Sequence, residues 1–161
     1  DPIGKYKIQG LELTGTVTPV KTLELFAGAT WLDTKATGNN DIERDEMPYT
    51  PGFQFQAGGS WTFLDNFRLF MDMQHLRDLY QGTTARSGTL NFGQLTHRDK
   101  LDDITLFNAR LSYRFNYKPL RLTDSEIFLA VNNIFNQDYE YAKGYPMPGT
   151  TVFAGFSIKL M

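Results

Sequence analysis

The chain of 161 residues lacks cysteine, and this absence excludes disulfide bonds and cysteine-ligated metal sites. It also lacks a run of about 18 consecutive apolar residues, so it offers no candidate transmembrane helix. With a formal net charge of −2 there is no basic excess, and we expect no nucleic-acid partner. Histidine is scarce, because only His75 and His97 occur, in different segments. Since a metal site needs converging ligands, the sequence predicts neither a metal site nor a cofactor.

Aromatic residues are abundant, and the dominant pattern is alternation with a period of two residues. In residues 104–117, Phe107, Leu111 and Tyr113 fall on one face, whereas Arg110 and Arg114 fall on the other. A strand separates these two sets, and a helix would mix them. Six further segments alternate in the same way: residues 5–18, 22–33, 52–64, 67–77, 125–133 and 150–161. The sequence therefore predicts an all-β fold, an antiparallel meander of about seven to eight long strands.

Strand length and loop length together favour a transmembrane barrel. Several segments run about 11–14 residues, whereas a typical globular strand has about 5–6 and a tilted membrane-crossing strand about 9–11. Short connections at 18–21, 64–66 and 118–124 alternate with long polar loops at 36–49, 81–101 and 137–147. Outer-membrane barrels have short periplasmic turns and long outer loops. The aromatic residues beside the short turns fit the girdle of such a barrel: Trp61, Phe63, Phe67, Tyr113, Phe115 and Tyr117.

The strand count and the two faces leave alternatives open. An odd number of strands means that the first begins at the outer surface, as in a chain cut in mid-barrel, unless an eighth strand lies at 89–94. Alternation alone does not say which face is outside, so a soluble β-barrel or sandwich binding a small ligand in its interior is the runner-up. An outer-membrane barrel hydrolase is the third alternative, although no Gly-x-Ser-x-Gly elbow supports it.

The chain resembles a known family over nearly its whole length, and most specifically in the run from Asn132 to Gly149. Residues 131–140, Val-Asn-Asn-Ile-Phe-Asn-Gln-Asp-Tyr-Glu, are similar to the Asn-Leu-Phe-Asp-Lys-Lys-Tyr segment near the C-terminus of TonB-dependent outer-membrane receptors. Residues 144–150 are similar to the family's Gly-Tyr-Pro-x-Pro-Gly-Arg, with Thr150 in place of Arg. The family usually closes on an aromatic residue, where this chain has Leu160 or Met161. The residues that carry the motif are Asn132, Asn133, Phe135, Tyr139, Gly144, Pro146, Pro148 and Gly149.

This resemblance implies a function and a set of partners. Residues 1–161 would be one unit, the C-terminal segment of a receptor barrel, without a plug domain or a TonB-contact segment. The full receptor would lie in the outer membrane of a Gram-negative bacterium and take up a ferric siderophore or a similar scarce nutrient. Its partners would be membrane lipid, lipopolysaccharide, a plug domain and TonB. The resemblance implies a transporter, and we expect no enzymatic activity.

Five residues of the long loops are predicted to bind the ligand. Arg86, His97 and Arg98 are cationic or ionisable and lie in the longest loop, so they would attract an anionic ferric chelate. Tyr141 and Tyr145 would stack nearby. The alternative is that these residues contact lipopolysaccharide or simply keep the loops soluble.

Other polar residues receive structural interpretations. Arg110, Arg114 and Asp72 are predicted to line the lumen and contact a plug, and the acidic stretch 41–46 to be a solvated loop. In the motif, the prolines would stiffen the last loop and Gly149 would permit the bend into the last strand. Gly58 and its neighbours would allow close packing on a strand. The motif's amides would bond exposed backbone near the outer rim: those of Asn132, Asn133 and Asn136.

Overall fold

The computed structural model of the chain describes residues 5–37, 43–44, 49–84 and 95–160. Within these residues it contains β-strands and one 3-10 turn, Lys118–Leu120, and no α-helix. In that part of the chain, no helix has the length and apolarity needed to cross a membrane. The strands are β1 (Lys5–Val20), β2 (Leu23–Thr37), β3 (Glu43–Arg44), β4 (Phe53–Phe63), β5 (Phe67–Arg77), β6 (Tyr80–Thr84), β7 (Leu95–Lys100), β8 (Ile104–Tyr117), β9 (Leu122–Asn132) and β10 (Thr151–Ser157).

Seven of the described strands form an antiparallel meander in the order β1-β2-β4-β5-β8-β9-β10. The two-residue β3 adds to the end of β2, and β6 pairs with β7 as a separate hairpin. The sheet does not close, so β1 and β10 are its two edges. The prediction of an all-β meander is confirmed, and the bounds of β5 and β8 coincide with the predicted segments.

The connections sort by length to opposite ends of the sheet. The β1–β2, β4–β5 and β8–β9 turns share one end, called here the short-turn end, and the long connections share the other, the long-loop end. Leu64 and Asp65 make the tight β4–β5 turn with φ of 47° and 61°. The third turn consists of the 3-10 segment and Arg121 in the left-handed region. This distribution is the one predicted for a membrane barrel.

The prediction was wrong in one long loop. Residues 81–101 were expected to be a polar loop, but β6 and β7 form a hairpin there, with Tyr80 opposite Lys100. The hairpin extends beyond the main sheet and pairs with none of its strands, so its residues need not alternate between an apolar and a polar face. The alternative strand at 89–94 lies outside the described residues.

The strand register gives the sheet one apolar and one polar face. On one face, the residues paired across five neighbouring strands form a row of Leu13, Ala29, Phe55, His75 and Thr105. The neighbouring rows of the same face are more apolar. The apolar face thus carries Leu, Val, Ala, Met and aromatic side chains over most of its height. The adjacent residue of each strand points the other way and forms the polar face. A shift of one residue would exchange the faces, so the apolar pattern itself fixes the register.

The apolar face is not covered. Two large apolar side chains on the edge strands show this: Leu13 on β1 is 67% exposed, and Phe156 on β10 is 73% exposed. The buried hydrophobic residues of the described chain form one small cluster at the long-loop end: Leu76, Leu79, Leu101, Ile104 and Leu106. Burial of apolar surface contributes roughly 25 cal/mol per Å². The exposed apolar face gains little of this contribution from the described residues.

Aromatic side chains cluster beside the short turns, as predicted. Ring centroids are 4.9 Å apart for Trp61 and Phe63 and 5.5 Å apart for Phe63 and Phe67. The Tyr113 ring lies 4.8 Å from the Phe67 ring, and the Phe115 ring lies 6.1 Å from the Tyr113 ring, again between centroids. These five rings form one band across three strands at the short-turn end of the apolar face. Such a band is typical of the boundary between hydrocarbon and water.

Gly58 sits where a strand is packed closely, which confirms the prediction for this position. A Cβ there would lie 2.5 Å from the carbonyl oxygen of Met71 and 2.8 Å from Cζ of Phe26. The Phe26 ring therefore lies against the strand at Gly58, and it stacks with Phe70 at a centroid distance of 6.2 Å. A side chain at this position would displace both the ring and the neighbouring strand.

Candidate functional site

The long-loop end is organised by one asparagine. Asn133 follows β9 in the left-handed region, with φ of 51°, and is only 4% exposed. Its side-chain Oδ1 accepts a hydrogen bond from the Gln137 amide at 2.9 Å, and its Nδ2 donates to the Gln137 carbonyl at 2.9 Å. The Thr150 hydroxyl donates to the Asn133 carbonyl at 2.8 Å. One side chain thus closes the turn after β9 and lies beside the segment that enters β10.

The same loop shows why a glycine precedes β10. Asn136 accepts a hydrogen bond from the Thr150 amide at 2.9 Å, and a Cβ on Gly149 would collide with the Asn136 side chain. Gly149 does not have a positive φ; Gly144 has one, at 84°. Gly149 lets the Asn136 amide approach the backbone, and its expected role in the bend into β10 stays a prediction. Pro146 and Glu140 form an isolated antiparallel β-bridge within the loop.

Aromatic side chains of this loop differ in exposure. Tyr139 packs against the small core and meets Tyr141 edge to face at 5.5 Å. Partial burial, with a smaller effect of Tyr139, raises the pKa of the Tyr141 hydroxyl. Tyr145 is 74% exposed and is accessible to a ligand. Phe135 meets Phe107 edge to face at 5.0 Å on the apolar side.

The hairpin β6–β7 brings two predicted site residues to the long-loop end. His97 pairs with Thr83 and Arg98 with Gly82 in the strand register. Their side chains lie outside the described part of the structure, as does Arg86 altogether. Leu79 and Leu101 flank the hairpin and belong to the core against which Tyr139 packs. The base of the hairpin and the tyrosine loop are therefore neighbours.

An ion pair fastens the base of the hairpin. Lys100 Nζ donates to Asp78 Oδ1 at 2.8 Å, and Arg77 Nε to Asp78 Oδ2 at 3.2 Å. The bond from Lys100 is the main reason why the pKa of the Asp78 carboxyl is lowered, and the same contact raises the pKa of Lys100. The Gly52 amide donates to the Asp78 carbonyl at 3.2 Å. Asp78 therefore joins β5, the hairpin and the approach to β4.

The polar face carries two groups of side chains at different heights. Towards the long-loop end, a groove of about 200 Å³ has Glu12, Gln54, Gln56 and Gln74 among its walls. Towards the short-turn end, Arg110 and Arg114 both donate to the Glu126 carboxylate, the second at 3.4 Å. Asn108 donates to Asp72 at 2.8 Å. The predicted lumen residues share this face, which lies opposite the exposed apolar one.

Glu126 is the polar-face residue that sequence reasoning missed. It lies 16 and 12 residues from its two arginines and meets them only because β8 pairs with β9. The alternation of β9 could have indicated it, because Glu126 precedes Ile127 and so lies on the opposite, polar face. No group of three or more His, Cys, Asp or Glu side chains suited to a metal ion occurs in the described residues. His75 instead shares a hydrogen bond of 2.8 Å with Thr105.

A family model described as TonB dependent receptor-like, β-barrel, matches residues 1–134. The chain belongs to this family. TonB-dependent receptors are transporters of the outer membrane of Gram-negative bacteria and not enzymes. Such receptors act with a plug domain and TonB.

A solved structure of another TonB-dependent receptor shares the fold. The closed form of the ferric-catecholate import receptor Fiu from E. coli K12 matches 94% of this chain with a TM-score of 0.68 and 19% sequence identity. The match covers 20% of the Fiu chain, so this chain spans about a fifth of that receptor's length. At this identity the likeness shows the fold alone.

Proposed function

We propose that this chain is a wall segment of an outer-membrane transporter that takes up a ferric siderophore or a similar scarce nutrient with energy from TonB. The family match over residues 1–134 carries the proposal. Within such a receptor the chain would form the C-terminal end of the barrel, as the motif at 132–149 indicates. Membrane lipid and lipopolysaccharide would surround it, and a plug domain would fill the lumen.

The two faces of the sheet support this assignment. A soluble barrel or sandwich would enclose its apolar side chains, whereas Leu11, Leu13 and Phe156 are exposed on the apolar face. The polar face carries arginine, glutamate and glutamine, which suit a hydrated or plug-filled lumen. Nothing in the geometry of the described residues favours the runner-up or the barrel hydrolase.

The proposed ligand site lies at the long-loop end. It combines Arg86, His97 and Arg98 of the hairpin region with Tyr141 and Tyr145 of the last loop. The base of the hairpin and Tyr139 share one hydrophobic core, which supports the proximity of the hairpin to the last loop. The exposure of Tyr145 supports access of a ligand to its ring. Cationic side chains would attract an anionic chelate, and the tyrosine rings would stack on its aromatic groups. Because Fiu, which shares the fold, is a ferric-catecholate import receptor, ferric catecholate is the first ligand class to test.

The test uses the full-length receptor in cells that lack other routes for the chelate. We expect growth on ferric catecholate as sole iron source when TonB is present and no growth when TonB is deleted. Arg98→Ala and Tyr145→Ala should each weaken binding by about tenfold, as expected for loss of one charge-assisted or stacking contact. Arg121→Ala, at the short-turn end, is the control and should leave affinity unchanged. Growth that does not depend on TonB for any ferric chelate tested would contradict the transport proposal.

A further inference from the structure

The tyrosine loop, residues 139–147, is held together by its own backbone. The Met147 amide donates to the Tyr139 carbonyl at 3.0 Å and closes the loop at its base. Further out, the Tyr145 amide donates to the Ala142 carbonyl at 3.0 Å. Because the loop is bonded within itself, the places where its two ends attach to the sheet decide where its tyrosine side chains lie.

Both ends of the tyrosine loop attach to Asn133. On one side, Gln137 exchanges two hydrogen bonds of 2.9 Å with the Asn133 side chain. On the other side, the Thr150 hydroxyl donates to the Asn133 carbonyl at 2.8 Å. Asn133 is thus the common support of the two ends, and whatever fixes Asn133 also fixes the position of the loop.

Asn133 is itself held by two side chains of the polar face. The pairing of β8 with β9 ends at Ala109 opposite Val131, and beyond it the Asn133 amide donates to the side-chain Oδ1 of Asn108 at 3.1 Å. Asn108 Nδ2 donates to Asp72 Oδ2 at 2.8 Å, from the position directly opposite on β5. A line of hydrogen bonds therefore crosses from β5 through β8 to the residue that supports the loop.

The donors and acceptors give this line one orientation. A carboxylate such as that of Asp72 only accepts hydrogen bonds, and a backbone N–H such as that of Asn133 only donates one. The Asn108 side chain lies between them, so its Nδ2 must face Asp72 and its oxygen must face Asn133. Without the carboxylate, the Asn108 amide would be free to turn over and present a second donor to the Asn133 N–H.

We propose that Asp72 and Asn108 are positioning residues of the ligand site: they hold Asn133 and thereby place Tyr141 and Tyr145 for a ferric chelate. The inference rests on the proposed function, because it takes the two tyrosines as ligand contacts. Asp72 and Asn108 touch no ligand themselves. They raise the fraction of receptors whose loop is in position, and the apparent affinity falls in proportion to that fraction when the loop is released.

The test exchanges the charge within the pair, in the full-length receptor. Asn108→Asp sets two carboxylates opposite each other, so the pair opens and Asn133 loses its support. We expect the Gln137 and Thr150 amides to exchange about tenfold faster and the receptor to bind ferric tris-catecholate about tenfold more weakly. Adding Asp72→Asn supplies a donor opposite the new carboxylate, which still accepts from the Asn133 amide. The double variant should therefore restore both quantities to within about twofold.

A matched control and an uptake measurement separate positioning from a general structural role. Asn132→Asp adds the same charge at an exposed neighbouring residue and should change neither quantity. In Asn108→Asp, the chelate concentration at half-maximal TonB-dependent uptake should rise about tenfold while maximal uptake stays unchanged. If Asn108→Asp does not insert, Asn108→Ala removes both hydrogen bonds without adding charge and should give the same changes.

Three results would overturn the inference. The first is unchanged exchange of the last loop in Asn108→Asp and Asn108→Ala. The second is a double variant that behaves like Asn108→Asp alone, and the third is a lower maximal uptake with an unchanged half-maximal concentration. Uptake by the unmodified receptor is scored separately: if it takes up no ferric catecholate, the proposed ligand class fails, while exchange of the loop still tests whether Asp72 and Asn108 hold it.

Discussion

Replacing Asn133 tests whether one side chain holds the last long loop. In Asn133→Ala the Gln137 amide and carbonyl lose their partner at 2.9 Å each. A buried polar group left without a partner costs about 1–3 kcal/mol. Alanine in the left-handed region, which Asn133 occupies with φ of 51°, costs about 1 kcal/mol more. Taking the lower values, we expect the loop to lose about 3 kcal/mol of local stability.

The assay is hydrogen exchange of peptides covering residues 133–150 in the detergent-solubilised full-length receptor. A loss of about 3 kcal/mol corresponds to about a hundredfold faster exchange of the Gln137 and Thr150 amides. The control is Asn132→Ala, because Asn132 is exposed and its side chain has no hydrogen bond to the described residues. Asn133→Asp keeps the acceptor and loses the donor, so it should fall between the two. Equal exchange in Asn133→Ala and Asn132→Ala would refute the reasoning.

Two further predictions concern packing and pH. Gly58→Ala should lower the stability of the receptor by about 1–3 kcal/mol, because its Cβ would meet backbone and the Phe26 ring. Gly15→Ala, with nothing within 4 Å of its Cβ, should be harmless, and equal urea midpoints for the two variants would contradict the packing argument. For Asp78, whose pKa is lowered from 3.8 by the Lys100 contact, the stabilisation is complete above that value and disappears as pH falls below it. Exchange of the Leu101 amide should therefore accelerate below that pH in the unmodified receptor but not in Asp78→Asn; the same pH profile in both would show that Asp78 does not hold the hairpin.

The strands could be predicted from the sequence because a sheet with one apolar and one polar face imposes the same constraint on every residue of a strand. Alternation along residues 67–77 and 104–117 predicted both strands with the bounds that the structure shows. Beyond this sheet, that constraint ends. The β6–β7 hairpin was missed for this reason, since its strand sequences, Tyr-Gln-Gly-Thr-Thr and Leu-Thr-His-Arg-Asp-Lys, do not alternate between apolar and polar residues. The last strand also ends earlier than predicted, at Ser157, although Leu160 still makes one bridge to Leu122.

The candidate site was predictable only in part. The motif indicated Asn133 and Asn136, and both side chains bond backbone, of Gln137 and of Thr150 respectively. Asn132, expected to do the same, is exposed and has no such bond within the described residues. Contacts between strands depend on register and are not visible in a local pattern. The pairing of Arg110 with Glu126 and of Asp78 with Lys100 is of this kind, over 16 and 22 residues. Gly149 shows the same limit, since the Asn136 side chain that lies against it belongs to an earlier part of the loop.

The central claim is that the apolar face of the sheet contacts hydrocarbon while the polar face lines the lumen. The most direct measurement is a spin-label scan of residues 107–112 on β8 in the reconstituted full-length receptor, which this cysteine-free segment makes simple. We predict high accessibility to oxygen at Phe107, Ala109 and Leu111, and low accessibility at the residues between them. Accessibility that does not alternate, or that is highest at Asn108 and Arg110, would contradict the claim.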